Sequence, residues 1–281
     1  MKTITLTSCL LLLAGNASAL VIAPATSGNQ LTSAIAGAGV TIDTATINFV
    51  GATNQSALFT DGLASGLGIG SGILLTSGDA RLASGPNDSA TASGSLGTAG
   101  DADLSALIGG IETNDANILE FEFTTATGDL FFNFVFASEE YNEFLGFIDP
   151  FGLFVDGVNY ALAPDGQAIS VGTVNCGDTG TDASGPNCAS FNNNETGAFN
   201  VEYDGFTDVF TASVLGLGAG THTMKFAISD ASDTILDSAV FIAEGSFSGT
   251  DPEVQVPEPG SLFLLGIGFA GVLLTRMKRK A

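Results

Sequence analysis

Basic side chains are scarce in this 281-residue chain, where 7 Lys and Arg stand against 30 Asp and Glu. Five of the seven lie at the extreme ends, as Lys2, Arg276, Lys278, Arg279 and Lys280. Residues 20–260 therefore carry only Arg81 and Lys225 against all 30 carboxylates, a net of −28. A body of that charge repels phosphate backbones and anionic lipid, which excludes nucleic acid as a partner. It also repels itself unless cations neutralise part of it; the alternative is plain solubility in a Lys-poor chain. Trp is absent, and 3 Tyr stand against 21 Phe. An aromatic pool of Phe fills cores, whereas sugar platforms favour Trp and Tyr with their polar edges, so a lectin is disfavoured. His222 is the single histidine. It lies in a strand-like run with Met224 and Phe226 and reads as a packed strand residue. Zinc lacks its usual His and Cys ligands. A Ser-His-Asp triad would have to use His222, and no Gly-x-Ser-x-Gly elbow is present.

What is abundant is turn chemistry: 37 Gly, with many Ser, Thr, Asn and Asp, as expected for short strands joined by tight turns. The N-terminus reads as a secretory signal over residues 1–19. Lys2 supplies the positive start, Leu10–Leu13 the apolar centre and Ala17-Ser18-Ala19 the small-residue cleavage site. The apolar run falls short of the roughly 20 residues a span needs. Cys9 precedes that run instead of following it, which argues against a lipoprotein.

The C-terminus has three parts in order. Val256-Pro257-Glu258-Pro259 is stiff and extended, because each proline fixes φ and restricts its predecessor. Ser261–Thr275 is apolar, and at about 15 residues it makes a short, marginal anchor. Arg276 to Lys280 is a basic stop of the kind retained on the cytoplasmic side. This order and spacing resemble the PEP-CTERM sorting signal. The resemblance implies an exosortase that recognises the Pro257-Glu258-Pro259 region and removes the helix. It also implies transient inner-membrane anchoring and delivery to the surface or matrix of a Gram-negative bacterium that makes exopolysaccharide.

Between the ends the pattern is that of one domain, residues 20–250, followed by a linker that leads into the sorting signal at 251–281. A short helix is expected at Asn29–Ile35 and one or two helical turns at Asp101–Ile108. Strands are expected at Thr41–Val50, Ile73–Thr76, Ile118–Thr124, Leu130–Ala137, Phe151–Val155, Tyr160–Leu162, Ile169–Val171, Phe206–Val214, His222–Ser229 and Ala239–Ala243. Leu119, Phe121 and Phe123 alternate with Glu120 and Glu122, the signature of a half-buried strand. Leu130–Ala137 has so few polar positions that it reads as a central strand covered on both faces. Asp79–Gly100 reads as a long surface loop. The fold class is all-β: an antiparallel β-sandwich with one or two short helices, jelly-roll topology being one form of it.

Four stretches carry a second resemblance: Asn117–Phe123, Phe134–Phe144 with its Phe-Ala-Ser-Glu-Glu-Tyr core, Tyr203–Thr207, and Ile228–Phe247 with Asp-Ser-Ala-Val-Phe-Ile. Together they resemble the choice-of-anchor L domain, a family of bacterial surface domains borne on alternative C-terminal anchors. The resemblance implies a surface location and an all-β body, and no particular activity.

Three acidic clusters are the candidate metal ligands: Asp101 and Asp103; Glu139 and Glu140, with Glu143 nearby; and Asp230, Asp233 and Asp237. Carboxylates gathered at strand ends are costly without a cation. Calcium, with 6–8 oxygen ligands from carboxylates and carbonyls, suits such loops; solvated loop carboxylates are the alternative. No EF-hand is present, since Asp230-x-x-Asp233-x-x-x-Asp237 lacks its Gly and terminal Glu. After signal removal Cys176 and Cys188 remain, and an exported chain is expected to join them, two free thiols being the alternative. Such a bridge contributes about 3 kcal/mol. The expectation is thus a non-catalytic exported surface or matrix protein, calcium-stabilised, whose partners are an exosortase and exopolysaccharide or matrix proteins. The other function class is a carbohydrate-active hydrolase using paired carboxylates, Glu139 or Glu140 with an Asp.

Overall fold

The computed structural model describes residues 18–252. The expected signal peptide, apolar anchor and Val256-Pro257-Glu258-Pro259 element therefore lie outside the described residues, apart from Ser18 and Ala19. Two antiparallel sheets face each other. The larger contains β1 (Val21–Pro24), β3 (Ser56–Thr60), β4 (Gly72–Thr76), β6 (Leu130–Ser138), β9 (Phe191–Asn193), β10 (Gly205–Thr207), β11 (Phe210–Val214) and β13 (Ser238–Ala243). Its order is β1-β3-β4-β13-β6-β10-β9, with β11 also pairing β6. The smaller runs β2-β5-β12-β7-β8, from β2 (Val40–Val50), β5 (Thr113–Thr125), β7 (Phe151–Val155), β8 (Val158–Asn159) and β12 (His222–Ala231). Among the described residues three short α-helices accompany them: α1 (Gly28–Ile35), α2 (Gly62–Ser65) and α3 (Ala102–Leu107). The all-β sandwich expected from the strand pattern is what the chain forms, with one helix more than expected.

Strand alternation decides where the core lies. On β6, Phe132, Phe134 and Phe136 point between the sheets, where they meet Phe121, Phe123, Phe151, Phe226 and Phe247. Val135 and Ala137 point outward into a second buried cluster with Phe59, Leu74, Tyr203, Phe206 and Phe241. The loops carrying Leu67, Ile69, Ala80, Ala83 and Val201 cover that outer face. This is why β6 is apolar on both sides. A smaller cluster of Leu104, Phe154 and Ala227 lies under α3 on the outer face of the five-stranded sheet.

Several elements differ from expectation. Tyr160–Leu162 and Ile169–Val171 form no strands and contribute only isolated bridges, Leu162 to Ala168 and Ser170 to Pro150. Phe206–Val214 breaks at Asp208-Val209 into β10 and β11, which pair with opposite ends of β6. The Asp79–Gly100 stretch is a loop except for a single 3-10 turn, Ala80–Ala83. The Gly-rich run from Leu58 to Gly72 begins inside β3.

The sandwich has two distinct poles. Val21 pairs with Thr60, Phe59 with Gly72, and Gly72 with Ala243, while Ser248 bridges to Phe131. Both ends of the described chain therefore lie at the pole where β6 begins. The other pole, where β6 ends at Ser138, is a strand length of about 30 Å away.

Candidate functional site

The far pole is built by register. Ser138 of β6 pairs with Ser238 of β13 and with Gly205 of β10, so the residues flanking these positions converge. Glu139 follows Ser138, Asp237 precedes Ser238, and Asp204 precedes Gly205. The Glu139 N–H donates to the Asp237 carbonyl at 3.1 Å. On the facing sheet, β12 ends at Asp230-Ala231, and the Ala231 N–H donates to Asp149 Oδ1 at 2.8 Å. Asp149 Oδ2 accepts the Ser238 hydroxyl at 2.8 Å, which ties the two sheets together.

These carboxylates are deeply enclosed. Glu139, Glu140 and Asp204 are each 1% exposed, and Asp230 is 0% exposed. Some have partners: Gly94 N–H donates to Asp237 Oδ2 at 2.8 Å, and Asn87 Nδ2 donates to Asp204 Oδ1 at 2.6 Å. Gly78 packs so closely on the Asp237 carboxylate that any Cβ there would collide with it. Others have none. Both oxygens of Glu139, Glu140 and Asp230, with Asp204 Oδ2, Asn142 Oδ1 and Ser229 Oγ, are buried without a hydrogen-bond partner. Every buried side-chain polar atom left unpartnered among the described residues is thus an oxygen, and all come from 139–142, 204 and 229–230.

Burial pushes the Glu139 carboxyl up to about 10, helped by Asp204, Glu202 and Asp237. It pushes Glu140 up to about 9, with Asp149 and Asp233 adding to the effect. Asp149 and Asp230 are raised by burial and by their neighbouring carboxylates. Asp204 and Asp237 are each raised to about 6, again chiefly by burial. No protein cation offsets this. Arg81 and Lys225 are the only Lys or Arg side chains among the described residues. Arg81 is held on Asp79, and Lys225 bonds Asp101 Oδ2 and Asp103 Oδ2 at 2.7 Å each.

A family model for the choice-of-anchor L domain matches residues 21–248, nearly all of the described body. The chain belongs to the choice-of-anchor L domain family. A second match, to the PEP-CTERM protein-sorting motif, covers residues 255–280. That motif marks an exported protein sorted to the cell surface and implies processing by an exosortase. Curated proteins and solved structures yielded no match.

Of the sequence-derived candidates, this choice-of-anchor L domain brings Glu139, Glu140, Asp230 and Asp237 to one pole. Asp233 stands in the adjoining loop, half-buried, its Oδ1 accepting from the Ile235 N–H at 3.3 Å. Asp101 and Asp103 go elsewhere, to the outer face of the five-stranded sheet. Asp101 Oδ1 caps α3 by accepting from the Asp103 and Leu104 N–H groups at 3.0 and 3.1 Å. Lys225 beside them offsets one of their two charges. Asp149, Asp204 and Asn142 join the pole although they were not singled out by spacing. Asp204 and Asn142 do lie inside the stretches that carry the family resemblance. Among the described residues, no three Asp, Glu, His or Cys side chains are arranged to hold one metal ion. Cys176 and Cys188 form the disulfide, with Cα atoms 4.7 Å apart. No described helix is long and apolar enough to cross a membrane.

Proposed function

We propose that this exported surface protein is a non-catalytic module of the extracellular matrix, fixed by calcium at its acidic pole and associating with exopolysaccharide or other matrix proteins. The observation that carries the reading is the set of unpartnered oxygens on buried carboxylates at that pole. A buried carboxylate without a partner costs free energy whether it stays charged or takes up a proton at neutral pH. A hard divalent cation removes both costs, and calcium accepts the irregular, oxygen-rich ligand sets that strand-end loops supply.

The orientation supports a surface role. The chain leaves toward its sorting motif from one pole, and the acidic pole lies at the other end of β6. The burial of Glu139 and Glu140, 1% exposed each, supports the non-catalytic reading over a glycoside hydrolase. Carboxylates in such an enzyme must reach a glycosidic bond. Retention of purified mature protein on exopolysaccharide from its own host, with calcium and with chelator, tests the reading. Calcium-dependent retention is expected, and retention in neither condition removes the matrix assignment.

A further inference from the structure

The unpartnered oxygens do not form one group. Side chains alternate along β6, with even positions facing the other sheet and odd positions facing outward. Continuing past Ser138, the alternation sends Glu139 outward and Glu140 between the sheets. Their surroundings agree. Asp204 is the carboxylate acting most strongly on Glu139, from a segment whose Phe206 lies in the outer cluster. Asp149, bound to Ser238 between the sheets, is the carboxylate acting most strongly on both Glu140 and Asp230.

We propose that the pole holds two calcium ions on opposite faces of β6, one taken by Glu139 with Asp204 and the other by Glu140 with Asp230. The inference rests on the calcium reading above and adds the number of ions and their allocation. Four of the enclosed side chains carry unpartnered carboxylate oxygens, 1% exposed or less. Glu139 has Asp204 as a neighbour, while Glu140 and Asp230 share Asp149. Neutral oxygens complete each shell, from Asn142 Oδ1, Ser229 Oγ, loop carbonyls and water. The two ions have different mechanical roles. The outer one fastens β6 to β10 within one sheet. The inner one joins β6 to β12 across the sandwich.

Isothermal titration of chelator-stripped mature protein with calcium chloride, cross-checked by metal analysis after gel filtration, reads the stoichiometry. Two equivalents per chain are expected for the wild type. Glu139→Gln and Asp204→Asn should each leave one, and Asp230→Asn should leave one, while Glu139→Gln with Asp230→Asn together leave none. One equivalent in the folded wild type overturns the two-site inference and leaves the calcium reading standing. No binding by the wild type overturns both. Should one variant fail to fold, the wild-type count decides alone. Loss of both ions from either folded Glu139→Gln or Asp204→Asn would overturn the allocation to separate faces.

Discussion

Ser138 and Ser238 face each other across the β6–β13 ladder with their hydroxyl oxygens 2.8 Å apart. Ser238 has one hydroxyl proton, and the charge-attracting partner for it is Asp149 Oδ2 at 2.8 Å. Ser138 then donates to Ser238 and accepts the Glu140 N–H at 2.9 Å. One short chain of bonds thus links the end of the central strand, the start of β13 and the carboxylate that anchors β12.

Ser238→Ala removes the Asp149 contact and leaves a fully buried carboxylate oxygen without its donor. A loss of about 1–3 kcal/mol is expected, the usual cost of stranding a buried polar group. Urea unfolding at fixed calcium measures it as a lower midpoint with an unchanged slope. An unchanged midpoint would mean that water replaces the hydroxyl.

The Cys176–Cys188 bridge closes a Gly- and Asp-rich loop that contains no regular strand before β9. Its constraint acts on the unfolded chain, so replacing both cysteines with serine should cost about 3 kcal/mol. Alkylation of mature protein under non-reducing denaturation should modify neither residue. Modification of both would contradict the bridge.

Much of the fold was legible because apolar alternation is a direct signal of a half-buried strand, as at Leu119, Phe121 and Phe123. The doubly covered β6 was legible for the complementary reason, since Leu130–Ala137 offers almost no polar face. Tyr160–Leu162 and Ile169–Val171 carry the same composition, yet their apolar side chains fill the core from a loop. Burial of Ala161, Ile169 and Val171 requires no ladder, and composition cannot tell the two apart. For the candidate site, local spacing picked out Glu139, Glu140, Asp230 and Asp237, which the fold gathers at one pole, and Asp101 and Asp103, which it places elsewhere. Their partner, Lys225, lies more than a hundred residues away and is reached only through the β5–β12 pairing. Asp149 and Asp204 were missed for the same reason. Register between distant strands brings them in, and no short motif encodes it.

His222 gives the pH dependence a defined sign. Nδ1 lies 2.7 Å from Asp156 Oδ2 and Nε2 lies 2.8 Å from the Gly218 carbonyl, so both ring nitrogens face acceptors. Only the imidazolium donates from both. The Asp156 bond, then the Gly218 bond, raise the His222 pKa above its ordinary value. Its stabilisation is fully present below the unfolded value of about 6.5 and is lost as pH rises through the higher folded one. His222→Gln should therefore destabilise more at about pH 5.5 than at about pH 8.5, by no more than about 1 kcal/mol for so exposed a partner. Equal losses at both pH values would show that packing on Phe123 matters and the charge does not.

The central claim is that calcium, held by otherwise unpartnered carboxylates, stabilises the folded body. Its most direct test is the melting temperature of the mature wild type and of Asp233→Ala, each in millimolar calcium and in chelator at neutral pH. Binding to the folded state alone adds about 2.7 kcal/mol at a hundredfold excess over Kd, and extracellular sites of this kind fill in the millimolar range. The account predicts a rise of several degrees for the wild type in calcium. It predicts a smaller rise for Asp233→Ala, whose carboxylate adds to the field at Glu140 and Asp149. A wild-type melting temperature that is the same in calcium and in chelator would contradict the account.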